Sequence, residues 1–378
     1  MKSSVKIFHS LLLFTPLILF SSCSEEATAP ELTSFKWPTS TPEAQGINSQ
    51  LLTQAFQQGE NRGFVDCILV IRNGYLVAEK YYNGYDKDIP HNVMSVSKSF
   101  LSAVTGIALR DGHIDSLGLK MLNFFPEYIY PNIDPRKYDI TIKHLLTMRM
   151  GIDNDENIYT QIYNSSNWVK ATIELPLLND PGTTFSYSTF QPHLLSAIIT
   201  KTTGMSTKEF AEKYLFSQMD IVCTDWQQDP QGYYFGGNSM YFTPRDMARL
   251  GYLYMQNGML DGKQVVPAEW VEESLSNSTN FNNLSWGDLD NYNYGYLWWL
   301  GEIKGHEVFL ALGHGGQFVI NFPDFNMIVV TTSYWQLDWS LADEHERLVL
   351  SIVADYIVPA VNRSRIVFEK NFGELQQR

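Results

Sequence analysis

A serine hydroxyl becomes a useful nucleophile only when a base stands ready to take its proton, so a serine one helical turn from an amine is worth finding first. Ser95-Val96-Ser97-Lys98 supplies that pair. In a helix the two residues share one face, which lets the Lys98 amine reach the Ser95 hydroxyl. A place near the helix N-terminus would also leave backbone N–H groups free to face a developing oxyanion. Spacing alone proves little, because Ser3-Ser4-Val5-Lys6 shares it. The competing reading makes Ser95 a helix cap and Lys98 a solvated charge.

Two further segments can complete such chemistry. Tyr187 lies in the loop Pro181 to Thr189, just before a helical pattern, and could shuttle a proton if cationic neighbours lowered its pKa. It is one of 21 tyrosines, so a packing role competes. Gly313-His314-Gly315-Gly316-Gln317 opens a late strand. Gly315 and Gly316 would let a substrate backbone lie along it, and the Gln317 N–H would complete an oxyanion hole with that of Ser95. The alternative is a strand-entry turn with His314 hydrogen-bonded in the core.

The elements that must hold these residues are legible from periodicity. Ser49 to Arg62 predicts a helix, and Cys67 to Arg72 and Tyr75 to Tyr82 predict strands joined by the hairpin signal Asn73-Gly74. Helical patterns then run over Phe100 to Leu109, Ile142 to Met148, Leu194 to Thr202, Lys208 to Leu215, Asp246 to Met255 and Ala268 to Leu275. Strands return at Tyr294 to Leu300, Val308 to Leu312, Phe318 to Phe322 and Met327 to Ser333, before a last helix from Glu344 to Val358. This order predicts an α/β (α+β) fold: one antiparallel sheet made of the first hairpin and three or four late strands, with helices from both chain ends packed on it. A helical lobe over about 91–284 is inserted, and a cleft between lobes is the natural place for a site.

Taken together, these segments resemble the class C β-lactamase-related serine hydrolases, the β-lactamase/transpeptidase-like family that includes penicillin-binding esterases, D-peptidases and 6-aminohexanoate-dimer hydrolase. The resemblance spans about residues 45–360. It rests on Met94 to Phe100, Ile142 to Met148 with Gly151, Pro181 to Ser188, Gly236-Gly237 followed by Pro244-Arg245-Asp246, and Gly313 to Gln317. Val96 to Phe100 and Thr105-Gly106-Ile107-Ala108 lean towards the aminohexanoate-dimer-hydrolase branch. The resemblance implies Ser95 as the acylated nucleophile, Lys98 as its activator, Tyr187 as general base and acid, and the N–H groups of Ser95 and Gln317 as the oxyanion hole. Two departures stand out. His314 occupies the place of the Lys in the family's Lys-Thr-Gly strand, and Thr189 the place of an Asn that holds the substrate amide. Both weaken a β-lactamase or D-peptidase activity relative to hydrolysis of small esters or amides, and they leave a non-catalytic binding protein of the same fold as a rival.

Composition narrows the partners. A net charge of −14 without a basic cluster argues against nucleic acid. None of the eight histidines forms a metal motif, no cofactor is indicated, and the absence of Gly-x-Ser-x-Gly argues against an α/β-hydrolase. Trp298, Trp299 and the Tyr292 to Tyr296 segment read as strand core rather than a substrate cage. Residues 1–22 read as a signal peptide, basic then apolar then small. Phe20-Ser21-Ser22-Cys23 resembles a lipoprotein box, which implies lipidation of Cys23, a membrane anchor and an exported, cell-envelope location. Residues 23–45 would be a flexible tether and 46–378 the catalytic domain. Cys67 and Cys223, both among apolar neighbours, read as buried free thiols.

Overall fold

A computed structural model describes residues 35–153, 156–276, 278–279, 281 and 283–361. The signal peptide, Cys23 and most of the tether lie outside them. The described residues belong to one compact unit.

The strands in chain order are β1 Val65–Arg72, β2 Tyr75–Tyr81, β3 His91–Asn92, β4 Tyr241–Phe242, β5 Met259–Leu260, β6 Lys263–Gln264, β7 Asp290–Tyr294, β8 Trp299–Ile303, β9 His306–Gly313, β10 Gln317–Phe322 and β11 Met327–Ser333. Seven of them make one antiparallel sheet in the order β2-β1-β11-β10-β9-β8-β7. The first hairpin thus closes against the last strand, with Val70 opposite Val329, and β1 is buried along its whole length. Asn73 and Gly74 make the β1–β2 turn with φ of 52° and 80°, the left-handed pair that suits the twist of a two-residue hairpin.

Period-2 alternation gives the sheet two apolar faces. Ile68, Val70, Phe318, Ile320 and Val329 face the helices Ser49–Arg62 and Trp339–Ile352, whose Leu52, Ala55, Val349 and Leu350 cover them. Cys67, Leu69, Val319 and Val330 face the helices that fill the chain between β3 and β7, where Phe100, Leu194 and Leu250 are fully buried. The helix Pro244–Met255 begins with a reciprocal capping box between Thr243 and Asp246, behind a Pro that needs no N–H there. Cys67 and Cys223 are both buried and unpaired, and burial pushes both thiols up, Cys223 to about 12.

Three expectations need correction. The late strands number five, not three or four. The run Tyr294 to Leu300 is two strand ends and a turn, with Leu297 at φ 61° and its carbonyl held by Ser99 Oγ at 2.8 Å. Finally, His314, Gly315 and Gly316 form the connection between β9 and β10 rather than part of a strand, with φ of 83° and 104° at the two glycines.

Candidate functional site

The nucleophile candidate sits on a pinned turn. Ser95 belongs to a 3₁₀ turn, Met94–Val96, that feeds the helix Ser97–Arg110. Met94 is held at φ 51°, a conformation unusual for a side chain with a Cβ. The surroundings hold it there: Met94 N–H donates to Asn92 Oδ1 at 3.0 Å, Val93 N–H to Met240 O at 2.9 Å, and Met240 N–H to Ser97 Oγ at 3.1 Å. The short β3–β4 pair ties this turn to the segment behind it. Ser95 itself is partly exposed and open to a substrate.

Lys98 is 1% exposed, and its Nζ lies 2.7 Å from Ser95 Oγ, 2.7 Å from Gly237 O and 3.5 Å from Thr189 Oγ1. Among the described residues no carboxylate pairs with it. An unpaired buried ammonium is costly, and burial accordingly pushes the Lys98 pKa well below its ordinary value. In the neutral form its N–H groups satisfy Gly237 O while its lone pair faces the Ser95 hydroxyl. Gly237 has to be a glycine for this: a Cβ there would lie 2.1 Å from Thr189 O. The sequence reading placed Gly236-Gly237 in a motif but gave it no role; the carbonyl that orients the amine is that role. Thr189 is buried beside Lys98, its hydroxyl accepting from the amine at 3.5 Å.

Tyr187 completes the cluster. Lys98 Nζ stands 4.9 Å from the centre of its ring, and the ring packs against Trp299 at 5.6 Å and Tyr294 at 6.1 Å. Its pKa moves opposite to the sequence expectation. Burial pushes it up and the nearby Glu346 adds to this, while contact with the Ser95 hydroxyl opposes them. The downward shift of Lys98 weakens the cation that would favour a phenolate. Burial thus favours the neutral hydroxyl of Tyr187 and the neutral amine of Lys98. Trp298 is core, as expected, packed on Tyr254 and Phe309. Trp299 is not: it backs the tyrosine.

The sheet side is built differently. Gln317 is buried, and its side chain bridges Ser333, accepting from its N–H at 3.1 Å and donating to its carbonyl at 2.7 Å, so the start of β10 is locked to the end of β11. His314 Nε2 bonds Leu337 O at 3.0 Å and its ring meets Trp339 edge-on; burial pushes its pKa down, leaving it neutral at pH 7. Gly315 N–H donates to Glu346 Oε1 at 2.9 Å. Glu346 went unnoticed in the sequence, yet a signal existed: with Ala342, Val349 and Leu350 it lies on the apolar stripe of the helix Trp339–Ile352. Burial lifts its pKa to about 8.

Two cavities flank these residues. One of about 420 Å³ includes Met94, Asn92, Asn238, Ser239 and Trp335, on the side of the nucleophile turn. Another of about 230 Å³ includes Trp299, Leu312 and Glu346, on the sheet side. A larger cavity of about 610 Å³ between Tyr254, Asn293 and Phe309 contains none of the clustered residues, so volume alone is a poor guide here.

A partly exposed serine on a rigid turn, a desolvated amine at its hydroxyl and a tyrosine across them define a penicillin-recognising type of serine site on an antiparallel sheet. The β-lactamase family model matches residues 49–353, and the chain belongs to that family. It is 27% identical over 292 residues to the 6-aminohexanoate-dimer hydrolase of Paenarthrobacter ureafaciens, covering 71% of this chain and 72% of that one. Among solved structures it resembles a Bacillus anthracis protein provisionally assigned as a 6-aminohexanoate-dimer hydrolase, with TM-score 0.69, 23% identity and coverage of 86% and 87%. It also resembles a D-stereospecific amidohydrolase from Streptomyces, with TM-score 0.61, 15% identity and coverage of 81% and 98%. At such identities the two structures speak for the fold.

Proposed function

We propose that this protein is a serine hydrolase that forms an acyl-enzyme on Ser95 and acts on small esters or amides. The observation that carries the reading is the buried, carboxylate-free Lys98 amine 2.7 Å from Ser95 Oγ. In acylation, Lys98 takes the hydroxyl proton as Oγ attacks the carbonyl carbon, and the new oxyanion is met by the N–H groups of Ser95 and Gln317. Tyr187 gives its proton to the leaving oxygen or nitrogen and is refilled from the Lys98 ammonium. Deacylation runs the same relay in reverse, with water as the nucleophile. The similarity to the 6-aminohexanoate-dimer hydrolase of Paenarthrobacter ureafaciens supports the reaction class. His314, its Nε2 spent on Leu337 O, supplies no fixed cation to a substrate carboxylate.

A fluorophosphonate probe tests the assignment. Intact protein is expected to be labelled on the peptide carrying Ser95, and Ser95→Ala to be unlabelled. Equal labelling of both proteins sinks the nucleophile. We further propose that mature protein begins at a lipidated Cys23 and resides in the cell envelope, on the strength of the Phe20 to Cys23 motif. Mass spectrometry of its N-terminus decides this, and an unmodified N-terminus at another residue refutes it.

A further inference from the structure

The most deeply buried acid–base contact among the described residues lies away from the reacting groups. His193 Nε2 is 3.0 Å from Asp229 Oδ2, and both side chains are 0% exposed. With that nitrogen protonated, the ring donates to a carboxylate whose Oδ1 accepts from the N–H groups of Gln231 at 2.8 Å and Tyr233 at 2.9 Å. Three donors compensate a buried charge that would otherwise be costly. Trp168 and Phe235 meet the imidazole edge-on at 5.4 and 5.6 Å and fix its orientation.

The segment that carries Asp229 leads to Lys98. Residues 226–240 fold back on themselves, with Trp226 opposite Met240 and Gln228 opposite Tyr234. They lie along one stripe of the helix Phe190–Thr203 and of Thr189 just before it. His193 takes Asp229, and Ser196 Oγ donates to Tyr234 O at 2.6 Å. Gly236 and Gly237 approach Pro192 O and Thr189 O so closely that a Cβ would lie 2.2 and 2.1 Å from them. Thr189, Pro192, His193 and Ser196 follow the i, i+3, i+4, i+7 spacing of a single helix face. At its far end the segment reaches the site twice. Gly237 O accepts from Lys98 Nζ at 2.7 Å, and Met240 bonds Ser97 Oγ through its N–H and Val93 N–H through its carbonyl. The other polar neighbours of the amine are the hydroxyls of Ser95 and Thr189, so Gly237 O alone holds it by a backbone carbonyl among the described residues.

We propose that His193 and Asp229 are positioning residues for the Lys98 amine: they clamp the segment 226–240 to the helix, which keeps the Gly237 carbonyl on Nζ and water away from it. Neither residue touches a reacting atom. The proposal rests on the serine-hydrolase reading for what the amine is used for, but the clamp itself is a matter of geometry. Releasing it lets the segment lift from Thr189 and Pro192 and admits water to Lys98. Water favours the ammonium, so the amine becomes harder to deprotonate.

Carbon-13 NMR of the whole protein labelled at lysine Cε follows the charge of Lys98 without turnover, its signal being the one missing from Lys98→Ala. His193→Phe keeps the ring volume but loses the donor, and is expected to raise the titration midpoint by about one pH unit. Asp229→Ser removes the buried charge together with the tie, while its hydroxyl can still accept from Gln231 N–H, and the same rise is expected should His193→Phe not fold. His193→Gln restores an N–H donor and is expected to titrate as the wild type does. A wild-type midpoint in a folded His193→Phe or Asp229→Ser overturns the clamp even where Tm falls, and so does a rise in His193→Gln as large as in His193→Phe. On an activated ester the released clamp is expected to lower kcat by about tenfold with KM little changed. A raised midpoint with unchanged kcat overturns the positioning role. The NMR midpoint is read without catalysis, so it stays distinct from failure of fluorophosphonate to label Ser95, which bears on the hydrolase reading alone.

Discussion

The two walls of the cleft are made by opposite means. On the helical side, side chains act directly: Lys98 reaches Ser95 Oγ and Tyr187 lies over the amine, each held by packing. On the sheet side, side chains such as Gln317 and Glu346 pin the backbone, which the proposed reaction makes the working part. The difference teaches where substitution should act on chemistry and where on geometry or recognition. A side chain that transfers a proton has no substitute when removed, whereas a backbone donor keeps its identity under most substitutions and loses only its position.

The largest effect is therefore expected from Lys98→Ala, which should lower kcat/KM on an activated ester by roughly a thousandfold, within the range for lost proton transfer. The same comparison sets a pH signature. Burial depresses the Lys98 pKa, so wild-type kcat/KM should rise with pH as the amine loses its proton and be flat well below pH 10. A profile still climbing at pH 10 would place an ordinary lysine there and break the contrast. Tyr187→Phe should cost about a hundredfold, chiefly in kcat, because Lys98 remains to activate Ser95 while the leaving group goes unprotonated. Unchanged turnover removes Tyr187 from the relay.

On the sheet wall the effects move to stability and recognition. The folded-state pKa of Glu346, about 8, lies above that of an unfolded glutamate, so its proton stabilises the fold fully below about pH 4.3 and this contribution fades as pH rises through 8. Glu346→Gln cannot ionise and should gain in Tm relative to the wild type between pH 5 and 9, with the gap closing in acid. A constant gap across that range means Glu346 does not titrate as described. The smallest effect is expected from His314→Lys. With Nε2 spent on Leu337 O, the ring is a strut, and the ratio of kcat/KM for a neutral p-nitrophenyl ester and for nitrocefin should change less than about threefold. A tenfold swing towards nitrocefin would restore His314 as a selectivity element.

The contrast also explains what could be read in advance. The roles proposed for Ser95, Lys98 and Tyr187 rest on side-chain chemistry, and chemistry is written in residue type and spacing. The strand pattern of β1, β10 and β11 was legible because runs of apolar and β-branched residues and the Asn73-Gly74 turn are local. The turn at Leu297 was not, since nothing polar interrupts Tyr294 to Leu300 and distant partners impose the bend: Leu297 N–H donates to Leu146 O at 3.2 Å, and Ser99 holds its carbonyl. Gly237 was visible as a motif, but its task of aiming a carbonyl at Lys98 depends on a backbone approach that only the folded chain reveals. Tyr187 lies beside Lys98 as the spacing suggests, but its pKa shifts up rather than down, because burial of the ring outweighs the contact with the Ser95 hydroxyl.

The two unpaired thiols open a different use of the molecule. Cys67 lies mid-strand in β1 and Cys223 beneath the helices between β3 and β7, each inert while covered. Alkylation can then proceed only as fast as the surrounding structure opens, and the peptides bearing the two residues can be counted separately. Timed exposure to iodoacetamide makes the pair a stopwatch with two hands, one for the sheet and one for the helices, and equal rates would mean that the two halves come apart as a single cooperative unit.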